Sequence, residues 1–349
     1  MEKSENRWQE LIFYYGCFIW AFFLIFSTFI AEALAIGLII FWWVWVRKKF
    51  AFRTRLDGWL GLFLVLRLAS IGFSIDPWVS ATAVRKIPFL LVFFPLSRFA
   101  GRYSQPAVVR LLWVVIIAAT LSAAVALLSL ARFGIHRVHS TTSGPETLAT
   151  FLAAAFTLEL GLLIFAGKTP GPKHVLSLGL LLCAMAFTYN RAPWAIALIA
   201  GMGVVTKMRR MFPVLLVAAG LSFALVPNYG YRFRSVIHWP PDLGEREVIW
   251  ESAWRHARQR PLTGFGPNTF HLVFDRREEL RDRGVGAWHN SLLQIWLESG
   301  LITLLAFVGL LVYMGRIALR HIRSHAGKPH AAILSSLLGA IAVILAISM

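Results

Sequence analysis

The chain has 349 residues, of which 58% are hydrophobic and only 15% charged, and its mean hydropathy is +0.65. This composition excludes a pair of water-soluble domains, because too few polar side chains remain to cover their surfaces. The net charge of +18 would suit anionic lipid, an anionic substrate or nucleic acid. Cys17 and Cys183 are the only cysteines, and both lie in apolar stretches, so we expect neither a disulfide framework nor a zinc site.

Apolar runs between charged breaks predict an all-α polytopic membrane protein. Eleven spans are predicted, at residues 11–28, 31–46, 57–74, 87–98, 107–131, 147–166, 175–189, 192–206, 212–227, 289–315 and 330–349. With a cytoplasmic N-terminus, every inner loop carries Lys or Arg, as the positive-inside rule requires. The sequence ends at Met349 within an apolar run, so we expect a truncated C-terminus and a twelfth span.

These spans divide the chain into three regions. Residues 1–227 hold nine transmembrane helices, residues 228–288 form one long outer loop, and residues 289–349 hold the C-terminal helices. The loop contains ten arginines, eight acidic residues and no lysine. Arginine suits planar recognition of phosphate or carboxylate, whereas the lysines gather at predicted inner loops. The alternative is a solvated surface loop that favours arginine.

Within the loop, Gly244–Arg260 is predicted to form an amphipathic helix with a Glu251–Arg255 pair four residues apart. Its apolar stripe comprises Ile249, Trp250, Ala253, Trp254 and Ala257. Arg246 lies one turn before Trp250 on that stripe, so we expect its guanidinium to be held beneath the loop. A snorkelling arginine at the helix start is the alternative.

The remainder of the loop contains a helix stop, a glycine turn and a run of charged residues. Pro261 should stop the helix, and Gly264–Asn268 predicts a tight turn that is not a phosphate-binding P-loop, since no Gly-Lys-Ser/Thr follows. Asp275–Arg283 is a charge run, predicted to be a solvated helix face with a Glu279–Arg283 pair.

Two predicted spans begin at the outer boundary with unusual residues. Asn190 is a candidate N-cap before Arg191, Pro193 falls in the first turn, and His289 opens the span at 289–315. Helix N-termini favour anionic oxygens. Arg191, Arg246 and His289 on one side of the membrane would therefore suit an anionic substrate, although singly each is also typical of structural roles.

Three charged residues, Arg67, Glu159 and Glu298, fall at membrane depth and need partners or a wet cavity. A structural Arg67–Glu298 ion pair is the preferred interpretation. A proton relay is the alternative, and it would indicate a transporter.

Four motifs occur in order along the second half of the chain: Asn190–Trp194, Gly244–Trp250, Arg260–Asn268 and Trp288–Gly300. Their order and sidedness, roughly over residues 180–305, resemble the O-antigen ligase and O-antigen polymerase superfamily. The resemblance implies a C-type glycosyltransferase architecture in the bacterial inner membrane, with the active site facing the periplasm. Members of the family usually carry about twelve spans, whereas eleven are predicted here.

The resemblance also implies a reaction. In the ligases, an undecaprenyl-diphosphate-linked glycan passes to a sugar hydroxyl of the lipid A core, without a metal or other cofactor. The family's functional arginines match Arg191 and Arg246, and its histidine matches His289.

Chemistry supports these assignments. Negative charge develops on the departing phosphate, where Arg191 and Arg246 would stabilise it. His289 is a candidate base for the acceptor hydroxyl. Because nearby arginines disfavour a protonated imidazole, an orienting or phosphate-binding role for His289 stays open. A single displacement predicts inversion at the anomeric carbon.

The sequence is also compatible with other functions. An O-antigen polymerase would use the same donor with a second lipid-linked glycan as acceptor, and the sequence does not separate the two. A protein O-glycosylating enzyme would need a peptide-binding element that the sequence does not reveal. A lipid or glycan transporter would show two related halves with broken helices, and no such repeat is found. A nucleic-acid binder is disfavoured, because the basic residues are divided between inner loops and an acid-rich loop.

Overall fold

The computed structural model describes residues 2–46, 54–134, 137–142, 144–166, 171–190, 193, 220, 245–276, 280, 286–325 and 328–348. Within these ranges the regular structure is helical and contains no strand, which confirms the predicted all-α class. The principal helices are α1 Glu2–Phe26, α2 Thr28–Phe41, α3 Arg55–Gly72, α4 Pro77–Ala81, α5 Ile87–Leu91, α6 Phe93–Arg102, α7 Gln105–Phe133, α8 Pro145–Ala166, α9 Pro172–Phe187, α10 Glu245–Ala257, α11 Phe270–Val273, α12 Ser291–Ser324 and α13 Pro329–Ser348.

Six stretches among the described residues are long and apolar enough to cross a membrane, so the chain is a polytopic membrane protein. They are Trp8–Phe26, Thr28–Val46, Pro77–Arg102, Gln105–Phe133, Pro145–Ile164 and Ser291–Ser324. Helices α9 and α13 occupy two more predicted spans but have shorter apolar stretches. Helix α3 occupies the predicted span at 57–74 but is not one of these six stretches. The predicted spans at 192–206 and 212–227 lie outside the described residues, apart from Pro193 and Gly220.

The chain divides into two compact units. The first comprises Met1–Phe52, Leu91–Arg232 and Ala318–Ile347. Its core is formed where α7, α8 and α9 pack together, and small residues on α7 allow a close approach of the helices. The buried α7 residues of this core are Ala118, Ala119, Ala123 and Ala126, which meet Leu152 and Phe156 of α8 and Leu181 and Met185 of α9.

The second unit comprises Arg53–Leu90, Phe233–Ile317 and Ser348–Met349. Its apolar core is formed by α10, α11 and the first part of α12, with Ile249, Ala253, Phe270, Trp288 and Leu297 among the buried residues. The predicted turn at Gly264–Asn268 lies in this unit, and its backbone bonds directly to α12.

That contact is possible because α12 breaks at Gly300, where φ is 81° and ψ is 170°. In an unbroken helix, the Leu297 carbonyl would accept a hydrogen bond from the Leu301 N–H. Here the Leu297 carbonyl accepts from the Phe265 N–H at 2.7 Å, and the Leu301 N–H donates to the Pro261 carbonyl at 2.8 Å. The Gly266 N–H also donates to the Glu298 carbonyl, at 2.9 Å. The turn thus satisfies peptide groups that the break would otherwise leave unpaired.

Glycine is required at Gly264, Gly266 and Gly300 of this junction, because none of the three positions has space for a side chain. A Cβ on Gly300 would lie 1.8 Å from the Leu262 carbonyl oxygen, and one on Gly266 would lie 2.0 Å from the Ser74 hydroxyl. The opposite side of the turn is bonded as well, since the Phe265 carbonyl accepts from the Ile75 N–H and from the Ser74 hydroxyl, both at 3.0 Å.

Replacing Gly300 by Ala should therefore destabilise the protein by roughly 2 kcal/mol or more, because the positive φ disfavours an L side chain and the Leu262 carbonyl must also move. Thermal unfolding of the detergent-purified protein measures the loss as a lower midpoint.

Gly315→Ala in the same helix is the matched control. A Cβ there meets nothing within 4 Å, and Ala is the better helix former, so the midpoint should stay the same or rise. Equal midpoints for the two variants would contradict the role given to the break.

Candidate functional site

His289 lies two residues before the start of α12. The helix begins at Ser291 and is capped by Asn290, whose Oδ1 accepts hydrogen bonds from Leu292 N–H at 3.0 Å and Leu293 N–H at 3.1 Å. His289 therefore precedes the helix rather than opening it, and its φ of 50° lies in the left-handed region. A non-glycine residue there costs on the order of 1–2 kcal/mol, and such strain often accompanies function.

The residue before it, Trp288, is fixed by packing. Its ring is buried and meets Phe270 edge-on at 4.8 Å and Phe274 at 6.1 Å. Its carbonyl accepts a hydrogen bond from Trp250 Nε1 at 3.2 Å. The left-handed His289 is thus held between a buried tryptophan and a capping asparagine.

The predicted loop helix is present but shorter than expected. Helix α10 spans Glu245–Ala257 rather than Gly244–Arg260, so it ends four residues before Pro261. Ile249, Ala253 and Ala257 of the predicted stripe are buried, as expected. Trp254 is 50% exposed, which contradicts its predicted burial, and it contacts Trp296 edge-on at 5.4 Å.

Arg246 lies in the first turn of α10 and is half-buried. It precedes Trp250 by one helical turn, and residues four apart on a helix are neighbours. Since Trp250 bonds to the Trp288 carbonyl, the helix that carries Arg246 is tied to the segment that carries His289. In the part of the chain that the structure describes, no carboxylate lies within ion-pair distance of Arg246.

Other loop arginines do have structural partners. Arg255 pairs with Asp275 at 3.1 Å, and Arg276 forms an ion pair with Glu251, so the predicted Glu251–Arg255 pair is wrong. The guanidinium of Arg260 lies over the ring of Phe265, 5.5 Å from its centroid.

Asp275 and Arg276 connect α10 to the segment after α11, and they are not helical. The predicted solvated helix face is therefore wrong at these two residues. Burial acts to raise the pKa of Asp275, but a 2.7 Å hydrogen bond from the Ser252 hydroxyl, together with His256 and Arg255, lowers it overall. The predicted Glu279–Arg283 pair lies outside the described residues.

Arg191 also lies outside the described residues, but the segment before it does not. Tyr189 has a left-handed φ of 58°, as His289 does, and it precedes an asparagine, Asn190. Arg137 donates from Nε to the Thr188 carbonyl and from Nη2 to Asn190 Oδ1, both at 3.0 Å. Sequence reasoning missed Arg137, because a lone arginine in a short loop gives no signal of its partner.

The predicted pair between Arg67 and Glu298 is confirmed. Arg67 also donates to the Ser299 hydroxyl at 2.8 Å, and Gln294 Nε2 donates to Glu298 Oε1 at 3.0 Å. This buried network ties α3 to α12 directly beside the Gly300 break. Separately, no group of three or more His, Cys, Asp or Glu that could hold a metal ion occurs among the described residues.

A model of the family described as O-antigen ligase matches residues 176–308. Residues 176–308 are therefore similar to an O-antigen ligase domain. The match confirms the resemblance drawn from the four motifs, and it includes Arg191, Arg246 and His289. The family comprises glycosyltransferase-like ligases and polymerases that use lipid-linked sugars. A search of curated proteins found no significant match to the chain.

Trp250→Phe tests whether α10 positions the His289 segment. Loss of the indole N–H removes one hydrogen bond worth about 1 kcal/mol, so amide hydrogen exchange at residues 286–290 should accelerate roughly fivefold. Mass spectrometry of peptides covering that segment measures the change.

Trp254→Phe provides the control, since Trp254 is on the same helix and contacts Trp296 rather than the His289 segment. It should leave exchange at 286–290 unchanged. If both variants protect the segment as well as the parent does, the Trp250 bond is not what holds it.

Proposed function

We propose that the protein is an O-antigen ligase of the bacterial inner membrane. It would transfer a glycan from undecaprenyl diphosphate to a sugar hydroxyl of the lipid A core, at the periplasmic face and without a metal or other cofactor. The similarity to an O-antigen ligase domain supports the reaction class. The observation that carries the site is the Trp250–Trp288 hydrogen bond, which ties the Arg246 helix to the His289 segment inside that region.

Arg191 and Arg246 would bind the diphosphate of the donor. Cleavage of the sugar–phosphate bond leaves negative charge on the departing oxygen, and preorganised guanidinium groups stabilise that charge more in the transition state than in the ground state. Arg246 suits this role because no described carboxylate neutralises it, whereas Arg255 and Arg276 are already paired.

His289 would take the proton from the acceptor hydroxyl as that oxygen attacks the anomeric carbon. Its fixed backbone between Trp288 and Asn290 would hold the imidazole in one place, which a general base requires. An imidazole that only orients the acceptor or binds phosphate remains compatible with the same position. A single displacement inverts the anomeric configuration in either case.

The alternative is an O-antigen polymerase, and the family match fits it equally. A polymerase would use the same donor and the same arginines, but its acceptor would be a second lipid-linked glycan. We favour the ligase because the loop at 228–288 is rich in arginine, which suits a phosphorylated core acceptor.

Reconstitution in liposomes with synthetic undecaprenyl-diphosphate glycan separates these functions. Offered lipid A core and a second lipid-linked glycan in parallel, the protein should glycosylate the core with inversion. Elongation of the lipid-linked glycan would instead identify a polymerase. Movement of the donor across the bilayer without transfer to either acceptor would identify a transporter.

In the same assay, Arg191→Ala, Arg246→Ala and His289→Ala should each lower turnover about 100-fold or more, the scale on which one preorganised transition-state contact acts. Arg246→Lys should also be impaired, because lysine keeps the charge but loses the planar fork.

Arg258→Ala is the matched control, since Arg258 is an exposed arginine immediately after the same helix. Its turnover should equal that of the parent. Full activity in all three alanine variants of the site would reject the assignment, whichever acceptor the enzyme uses.

A further inference from the structure

Three tryptophans from separate segments of the second unit are accessible at its surface near the break in α12. Trp78 is 87% exposed, Trp254 is 50% exposed and Trp296 is half-buried. Leu262, which follows the end of α10, is 59% exposed. Large apolar side chains that gather on a surface mark a contact with a membrane or with another protein. The hydrogen bonds and ring contacts of these residues show that they do gather.

Helix α10 and the first segment of α12 run side by side towards the break. Just before α12, the Trp288 carbonyl accepts a hydrogen bond from Trp250 Nε1 at 3.2 Å. One turn further along α10, the ring of Trp254 meets that of Trp296 edge-on at 5.4 Å. Progress along α10 therefore follows progress along α12, away from the segment that carries His289.

The chain after α10 reaches the break itself. The Pro261 carbonyl accepts hydrogen bonds from Trp296 Nε1 at 3.0 Å and from the Leu301 N–H at 2.8 Å. Leu262 is the next residue along the chain. Leu262, Trp254 and Trp296 thus lie together at the level of the break.

Trp78 reaches the same level through the glycine turn. The Phe265 N–H donates to the Leu297 carbonyl at 2.7 Å, and the Phe265 carbonyl accepts from the Ile75 N–H at 3.0 Å. Trp78 follows Ile75 by three residues and lies in the first turn of α4, at the start of the apolar stretch Pro77–Arg102. Tryptophans of α4, α10 and α12 therefore lie near one level.

The apolar part of α12 shows where the hydrocarbon of the membrane begins. Leu301–Gly315 contains no charged residue, and Arg316 follows it. A hydrocarbon core about 30 Å thick takes roughly 20 helical residues, and an arginine at its edge can extend to the headgroups. Counting about 20 residues back from Arg316 puts the opposite edge of the core near Trp296, whereas the predicted span begins at His289. The start of α12 therefore lies outside the hydrocarbon.

The lipid-facing surface of α12 continues into the tryptophan cluster. Ile302 is 53% exposed and Leu305 is 61% exposed, and both lie on a stretch apolar enough to span a membrane. Trp296 is on the same helix just before the break, and Trp254 packs against it. This continuity favours phospholipid over a second protein as the partner of the cluster.

We propose that the interface belt, defined as Trp78, Trp254, Leu262 and Trp296, lies at the boundary between headgroups and acyl chains and contacts phospholipid there. Tryptophan suits this boundary because its ring is apolar while its N–H is polar. The positive-inside rule assigns Arg316 to the cytoplasmic side, so the belt contacts the outer leaflet. The belt sets the height of α10 and α12 in the membrane.

Both helices begin on the water side of the belt, so Arg246 and His289 lie above the hydrocarbon. The inference rests on the membrane-spanning class of the chain and not on the proposed transferase activity. A protein without transfer activity would still carry the belt, and a misplaced belt would leave the transfer assay unaffected as a test of activity.

Spin labelling in liposomes of phosphatidylethanolamine and phosphatidylglycerol tests the proposal. Cys17→Ala and Cys183→Ala remove the native thiols, and a nitroxide is attached at Leu262→Cys or at Trp78→Cys. Power saturation compares collisions of the nitroxide with oxygen, which concentrates in the bilayer, and with a neutral nickel chelate, which stays in water. The ratio of oxygen to chelate collisions should be several times higher at both labels than at a label in water.

Glu247→Cys is the matched control, because Glu247 is exposed on the same face of α10 as Trp254. It precedes Trp254 by seven residues, so it lies about 10 Å farther from the break along the helix axis. Its label should give the low ratio of a site in water. Trp78 is almost fully exposed, so its label tests the belt even if Leu262→Cys fails to fold.

A ratio at residue 262 or 78 as low as that of the control would overturn the proposal, and so would a high ratio at residue 247. Exclusion of both oxygen and the chelate would also overturn it, because protein such as a second copy of the chain would then cover the belt. A fall in oxygen collisions when undecaprenyl phosphate is added would identify a site for a polyprenyl chain and would contradict a phospholipid contact.

Discussion

The second unit depends on an exchange of backbone hydrogen bonds at the break in α12. A break within an apolar helix leaves peptide groups unpaired, and each such group is costly when water cannot reach it. The turn at Gly264–Asn268 and the preceding Pro261 take over those bonds. Because the turn is also bonded to the segment after α3, one junction fixes three stretches that are far apart in sequence.

The junction also orients the candidate site. The segment of α12 before Gly300 begins next to His289, so its direction sets where that imidazole lies. The Arg67–Glu298 pair holds the same segment from α3, and removal of one member would leave a buried charge uncompensated. The Trp250–Trp288 hydrogen bond then joins α10, which carries Arg246 in its first turn, to the segment that leads into α12. Backbone bonding at Gly300 is thus connected to the proposed chemistry through a short series of defined contacts.

The sequence predicted those features that depend on a strong local or energetic rule. The helical class follows from the long apolar runs, and the Arg67–Glu298 pair follows from the cost of lone charges at membrane depth. The Glu251–Arg255 pair was wrong because exposed pairs four apart stabilise a helix by only a few tenths of a kcal/mol. Arg255 pairs with Asp275 instead, and Glu251 pairs with Arg276. The break at Gly300 was not predicted, since a single glycine within an apolar helix shows no sign of the turn that bonds to it.

The arginines of the loop fall into different groups by their contacts. Arg255 and Arg276 hold α10 against the segment after α11, and the guanidinium of Arg260 covers an aromatic ring. Arg246 has no described ion-pair partner and lies one turn from the residue that contacts the His289 segment. Sequence patterns alone could not separate these roles, because all four arginines belong to the same charged loop. The role of Arg137 was likewise not visible in the sequence pattern. Its hydrogen bond to Asn190 anchors the residue directly before Arg191.

The most direct test of the account is an experimental structure of the protein with an undecaprenyl-diphosphate-linked glycan bound. We expect the guanidinium groups of Arg191 and Arg246 within about 3 Å of the diphosphate oxygens, the usual distance for charge-assisted hydrogen bonds, with His289 beside the position of the anomeric carbon. A diphosphate bound away from both arginines, or on the membrane face opposite to the loop at 228–288, would contradict it.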